Sequence, residues 1–141
     1  MAILNYSTKI DYHKTIGEIS SILVKHGASK ITVDYADGIP DALTFVIPIA
    51  GNKTPTFYSL PARYRGVLKA LQKQKVTKSL QTEEQALRIA WRNVKDWLAA
   101  QMAMVEAEQC EIQEIFLPYI VLKSGNTLYD DVKNENIKLL K

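Results

Sequence analysis

One cysteine and two histidines are all that this 141-residue chain offers in thiolate or imidazole ligands. That scarcity excludes most metal chemistry, because a structural zinc site needs four such groups at close spacing. His13 and His26 flank one helical pattern and lie more than three turns apart, so they can neither share a ligand nor relay a proton. Cys110 has no partner for an internal disulfide. It is also flanked by Glu106, Glu108, Glu111 and Glu114, whose negative charge disfavours the thiolate that a nucleophile requires. No phosphate-cradling G-x-x-x-x-G-K-S/T loop and no G-x-G-x-x-G loop occurs, which excludes the standard nucleotide-hydrolysing and dinucleotide folds. No run approaches the ~20 apolar residues that cross a bilayer, so no membrane partner is expected. The opening MAILNYSTKI lacks the basic end and apolar run of a secretion signal. With the lone cysteine, this reads as a cytoplasmic chain in a reducing compartment. Asp34, Asp37 and Asp41 around one turn, and Asp130 with Asp131, are the remaining metal candidates. Turn aspartates ordinarily bond their own backbone, so the expectation is a protein that is not an enzyme and carries no cofactor.

What is present is ordinary globular material: 47% hydrophobic and 23% charged residues, enough for one domain with a core of its own. DYHKTIGEISSILVKHG spaces Tyr12, Ile16, Ile19 and Leu23 at helical intervals, with Asp11 as N-cap and Gly27 as stop. SKITVDYA, ALTFVIPIA and TFYSLP, separated by the turn-rich DGIPD and GNKTP, predict a three-stranded antiparallel meander. Pro48 predicts a bulge or an edge position in the middle run. Pro61 suits the first turn of a second helix, PARYRGVLKALQKQK, with Tyr64, Val67, Leu68 and Leu71 on one face. Thr82 and Gln85 form a capping-box pattern that opens a third helix running to about Cys110. The tail continues apolar to Pro118, turns, and adds a short helix around Thr127–Val132. The fold class is therefore α+β, a small three-stranded sheet packed with helices around one long helix, as a single domain over residues 1–141.

On the long helix, Leu87, Trp91, Val94, Leu98 and Val105 form one strip, and Ala86, Ile89, Ala90, Trp97, Ala100 and Met104 the next. More than half the circumference is apolar, which predicts a helix surrounded by its own chain or covered by a second copy, and a homo-oligomer formed through this helix is expected. Trp91 and Trp97 are thus expected in a core or a dimer interface, with base stacking as the alternative. The remaining strip pairs Glu84 with Arg88 and Arg92 with Asp96 at i,i+4. The second helix differs, since Arg65, Lys69 and Lys73 share a face with Gln72 and have no acid within helical reach. From Arg63 to Lys95 nine cations face two acids, a local net of +7, whereas Asp96 to the end carries −4. Such a block draws phosphate-bearing ligands and makes their binding salt-dependent. The candidate ligand-binding residues are Arg63, Arg65, Lys69, Lys73, Arg88, Arg92 and Lys95.

The strings EISSILVKHGASKI, AWRNVKDWLAAQMAMVEAE, FLPYIV and GNTLYD resemble a family of small proteins encoded by bacteriophages and prophages. The likeness covers nearly the whole chain, and its most specific part is W-R-x-x-K-D-W-x-x-A-Q. It implies a phage or mobile-element origin and a bacterial cytoplasm, and it transfers no catalytic residue. The order helix, three strands, helix also resembles the double-stranded-RNA-binding domain, with Arg63, Arg65 and Lys69 in the region of its basic second helix. The Lys-Lys pair and Ala-rich run of that helix are absent, and the long third helix has no counterpart there. The function expected is an accessory protein that binds nucleic acid or a nucleotide-type anion. The alternative is a counter-defence protein that blocks a host immune protein or sequesters its nucleotide signal.

Overall fold

The computed structural model describes residues 2–48 and 54–140. Helix α1 spans Tyr12–Lys25 and is followed by strands β1 (Lys30–Ala36), β2 (Ile39–Val46) and β3 (Phe57–Pro61). Then come α2 (Tyr64–Lys73), the long α3 (Glu83–Glu106), α4 (Ile112–Phe116) and α5 (Leu128–Lys133). The chain is α+β, with β1, β2 and β3 in sequential antiparallel order.

The first hairpin is tighter than the run DGIPD suggested. Asp37 and Gly38 alone make the turn, at φ of 53° and 78°. Two successive left-handed residues match the twist of the flanking strands, which is why Asp-Gly is favoured there. Strand β2 therefore begins at Ile39 and ends at Val46, so Pro48 lies beyond it and causes no bulge in it. The irregularity falls at the other end, where the register shifts between Asp34 and Tyr35 opposite Pro40 and Ala42. A bulge is where a central strand tolerates a proline. Of the run expected as the middle strand, Ile49 and Ala50 lie outside the described residues, as do residues 51–53 of the turn after it.

Pro61 does not enter the second helix. It closes β3 opposite Ala42, and the Ala62 amide donates to the Asp41 carbonyl at 2.8 Å. Arg63, left-handed at φ 55°, then redirects the chain into α2. Along α2 the expected face holds, with Tyr64 and Leu71 buried and Val67 and Leu68 packed on the core.

Alternation gives the sheet two unlike faces. Leu43 and Phe45 of β2 and Tyr58 and Leu60 of β3 are buried, and Ile31 and Val33 of β1 pack on the same core. Thr32, Thr44 and Ser59 lie in register across the opposite face. Phe45, Tyr58 and Phe116 form an aromatic cluster with centroids 5.0–5.6 Å apart. Trp97 meets Phe116 and Tyr119 in T-shaped contacts, with centroids 6.2 and 5.9 Å away. Trp91 is fully buried, and its indole Nε1 donates to the Pro40 carbonyl at 3.1 Å. Base stacking by Trp91 is thereby excluded.

Helix α3 lies between α1 and α2. Its start is only half a capping box. The Thr82 hydroxyl accepts from the Gln85 amide, but the Gln85 side chain, 3% exposed, donates to the carbonyls of Tyr6 and Thr8 at 3.0 and 2.9 Å. It thus holds the N-terminal segment along the helix, where Asn5 also donates to Asn93 and Asp96 at 2.8 and 3.0 Å. The helix stops at Glu106, short of Cys110. Glu108 adopts φ 60°, and a Glu111/Glu114 capping box starts α4 separately. Ala100 and Met104, expected in the apolar strip, are exposed. Met102 is the last buried residue of α3, and Val105 beyond it is only partly buried on the core.

Candidate nucleic-acid interface

The structure divides the seven candidate cations into two groups. Arg88, Arg92 and Lys95, on α3, are satisfied internally. Arg88 donates to Glu84 at 2.8 Å and to the Gln85 side chain at 3.0 Å. Arg92 does not pair with Asp96 as the i,i+4 spacing predicts. It crosses to α1, where it donates to Glu18 at 3.0 Å and to the Thr15 hydroxyl at 3.3 Å. Lys95 reaches the same Glu18 oxygen at 3.6 Å. Burial alone would raise the Glu18 carboxyl, but the Arg92 hydrogen bond and the charges of Arg92, Lys95 and Lys14 hold it below its ordinary value. Asp96 is left to Asn5. The spacing rule is overridden by a carboxylate on a neighbouring helix that a single helical wheel cannot show.

Arg63, Arg65, Lys69 and Lys73 are all exposed, at or along α2, and none has a carboxylate within 4.0 Å among the described residues. The helical repeat places Arg65, Lys69 and Lys73 within about 80° of one another, spread over ~12 Å of axis and turned away from Tyr64 and Leu71. Two of the four are steadied by rings. The Arg63 guanidinium lies over Tyr129 at 5.3 Å and that of Arg65 over Tyr64 at 5.2 Å. Cations resting on aromatic faces are oriented while their N–H groups stay free for another acceptor. Asp130 feels the Arg63 charge. Its carboxyl is held low chiefly by the Thr127 backbone N–H and hydroxyl contacts, however, with Arg63 a smaller contributor.

Beside this face is a depression of about 280 Å³, lined by Asp41, Pro61, Arg63, Tyr64, Arg65 and Gly66. The first turn of α2 holds no acid and no capping side chain. No protein family, curated protein or solved structure matches the chain. The site is therefore read from its own side chains.

Lys75 and Lys78 continue the basic strip beyond α2; both are exposed and neither forms an ion pair among the described residues. The sequence signal for them was simple continuity after Lys73. The acidic candidates scatter by contrast. Asp34 accepts from the Thr44 hydroxyl at 2.6 Å, Asp37 sits in the hairpin turn, and Asp41 borders the depression. Among the described residues no three His, Cys, Asp or Glu side chains gather as a metal set, and no helix is long and apolar enough to cross a membrane.

Proposed function

We propose that the protein binds nucleic acid through its phosphates, using Arg65, Lys69 and Lys73 on the outward face of α2 together with Arg63 just before its first turn. One observation carries the reading. Three of the candidate cations are matched with carboxylates from their own chain, whereas these four, in the same basic block, are left without one among the described residues. Free cations spaced along one rigid helix suit a polyanion better than a single small anion, because each can meet a separate phosphate. The open first turn of α2 adds positive potential at the Arg63 end. Arg88, Arg92 and Lys95 take no part, since their charge is already committed to Glu84 and Glu18. The phage or mobile-element setting implied by the sequence resemblance is compatible with such a binding role and belongs to the same proposal.

The test is retention of a labelled oligonucleotide by the protein carrying Arg65→Glu, Lys69→Glu and Lys73→Glu. The expected result is loss of retention with the melting temperature kept. Full retention overturns the reading, and co-purification of the intact protein with a host polypeptide instead of nucleic acid favours the counter-defence alternative.

A further inference from the structure

The two edges of the sheet are treated differently. The outer side of β3 is covered, with Tyr58 bridged to Ile120 and the Val121 amide donating to the Phe57 carbonyl at 2.8 Å. Among the described residues the outer side of β1 has no strand beside it, and no backbone hydrogen bond from outside the sheet reaches Ile31–Ala36. This is a seven-residue edge without proline or glycine, a ready template for another strand.

We propose that this edge pairs with the same edge of a second copy, antiparallel, about a two-fold axis at Thr32. The argument is one of register. Residues opposite one another in an antiparallel pair share a face, so the axis must pass through a residue and not between two. Centring on Thr32 sets Lys30 against Asp34 of the copy twice on the solvent face, and Ile31 against Val33 twice on the core face. Centring on Lys30 or on Asp34 instead opposes like charges, and centring on Ile31 or Val33 leaves Lys30 and Asp34 without opposite-charge partners. Opposite charges facing across a strand pair favour that pairing, and like charges disfavour it.

Within one chain Lys30 and Asp34 stand about 13 Å apart along the strand. Neither forms an ion pair among the described residues, and Asp34 holds only the Thr44 hydroxyl. The charges are thus available for a copy. Such a dimer would join two three-stranded sheets into one of six strands and is independent of the α2 face.

Sedimentation velocity over a concentration series tests this. Wild-type protein should show a monomer–dimer equilibrium. Lys30→Asp and Asp34→Lys, each alone, should raise the dissociation constant about tenfold, as two attractive pairs become repulsive. The double variant carrying both changes should recover dimerisation. So should an equimolar mixture of the two single variants, because the strand bearing two acids then faces the strand bearing two bases. The recovery arms separate a lost interface from a damaged fold. A monomer at every concentration overturns the proposal, as does a dimer insensitive to either single change or two single variants that fail to associate.

Discussion

Neutralising Lys69 and Lys73 should change how binding responds to salt, and by an amount the structure sets. Each phosphate neutralised by a protein cation releases condensed counterions and contributes about −0.9 to the slope of log K against log salt on duplex DNA. With Arg63, Arg65, Lys69 and Lys73 all engaged, the slope is about −3.6, and raising salt from about 50 to about 200 mM weakens binding about 150-fold. Lys69→Gln with Lys73→Gln should bring the slope to about −1.8 and the loss to about 12-fold. Arg92→Gln is the control. Its charge is taken by Glu18 at 3.0 Å, so the slope should stay at the wild-type value while thermal stability falls. Fluorescence anisotropy of a labelled duplex, titrated at several salt concentrations, reads both quantities. A double variant with the wild-type slope, or an Arg92 variant whose slope drops as far as the double variant's, would refute the division of cations into free and committed.

Two further outcomes concern stability. Among the described residues the buried Tyr58 hydroxyl has no hydrogen-bond partner, and burial pushes its ionisation upward; Tyr58→Phe should therefore stabilise by about 1 kcal/mol, read as a higher urea midpoint, and a lower midpoint would show that the hydroxyl is bonded. Glu18, held low by Arg92 and Lys95 in the fold, contributes stability that is present above the ordinary carboxylate range and is lost as pH falls through its depressed value. Because it is partly exposed the contribution is below about 1 kcal/mol. Glu18→Gln should make the urea midpoint fall less between neutral pH and about pH 3 than it does in the wild type, and an identical fall in both proteins would count against the pairing.

The elements that local chemistry dictates were readable in advance. The 3.6-residue spacing of Ile16, Ile19 and Leu23 gave α1, the β-branched runs gave a meander, and Thr127 gave the start of α5. What escaped depended on residues distant in sequence. Arg92 chose Glu18 over Asp96 because α1 lies against α3, and Gln85 turned from its expected cap because the Tyr6 and Thr8 carbonyls of the N-terminal segment lie within its reach. Pro61 reads as a helix opener by composition, yet Ala42 across the ladder claimed it for β3. The same division runs through the candidate site. Charge density located the basic block, but only packing could tell which of its members had already found counter-charges.

Helix α3 is one element by hydrogen bonding but not by surroundings. Its N-terminal half is enclosed by Trp91, Ile89 and Ala90 meeting the core, whereas beyond Met102 the side chains of Ala103, Met104 and Ala107 face water. Over that last stretch the Lys25 ammonium and the His26 ring, reaching Glu106 at 3.8 and 3.0 Å, tie the helix to the C-terminal end of α1. Amide protons in the enclosed turns should therefore exchange more slowly than those near Glu106, an order that hydrogen-exchange mass spectrometry would read. The segment leading into α4 can thus loosen and re-form while the layer behind the basic face stays intact.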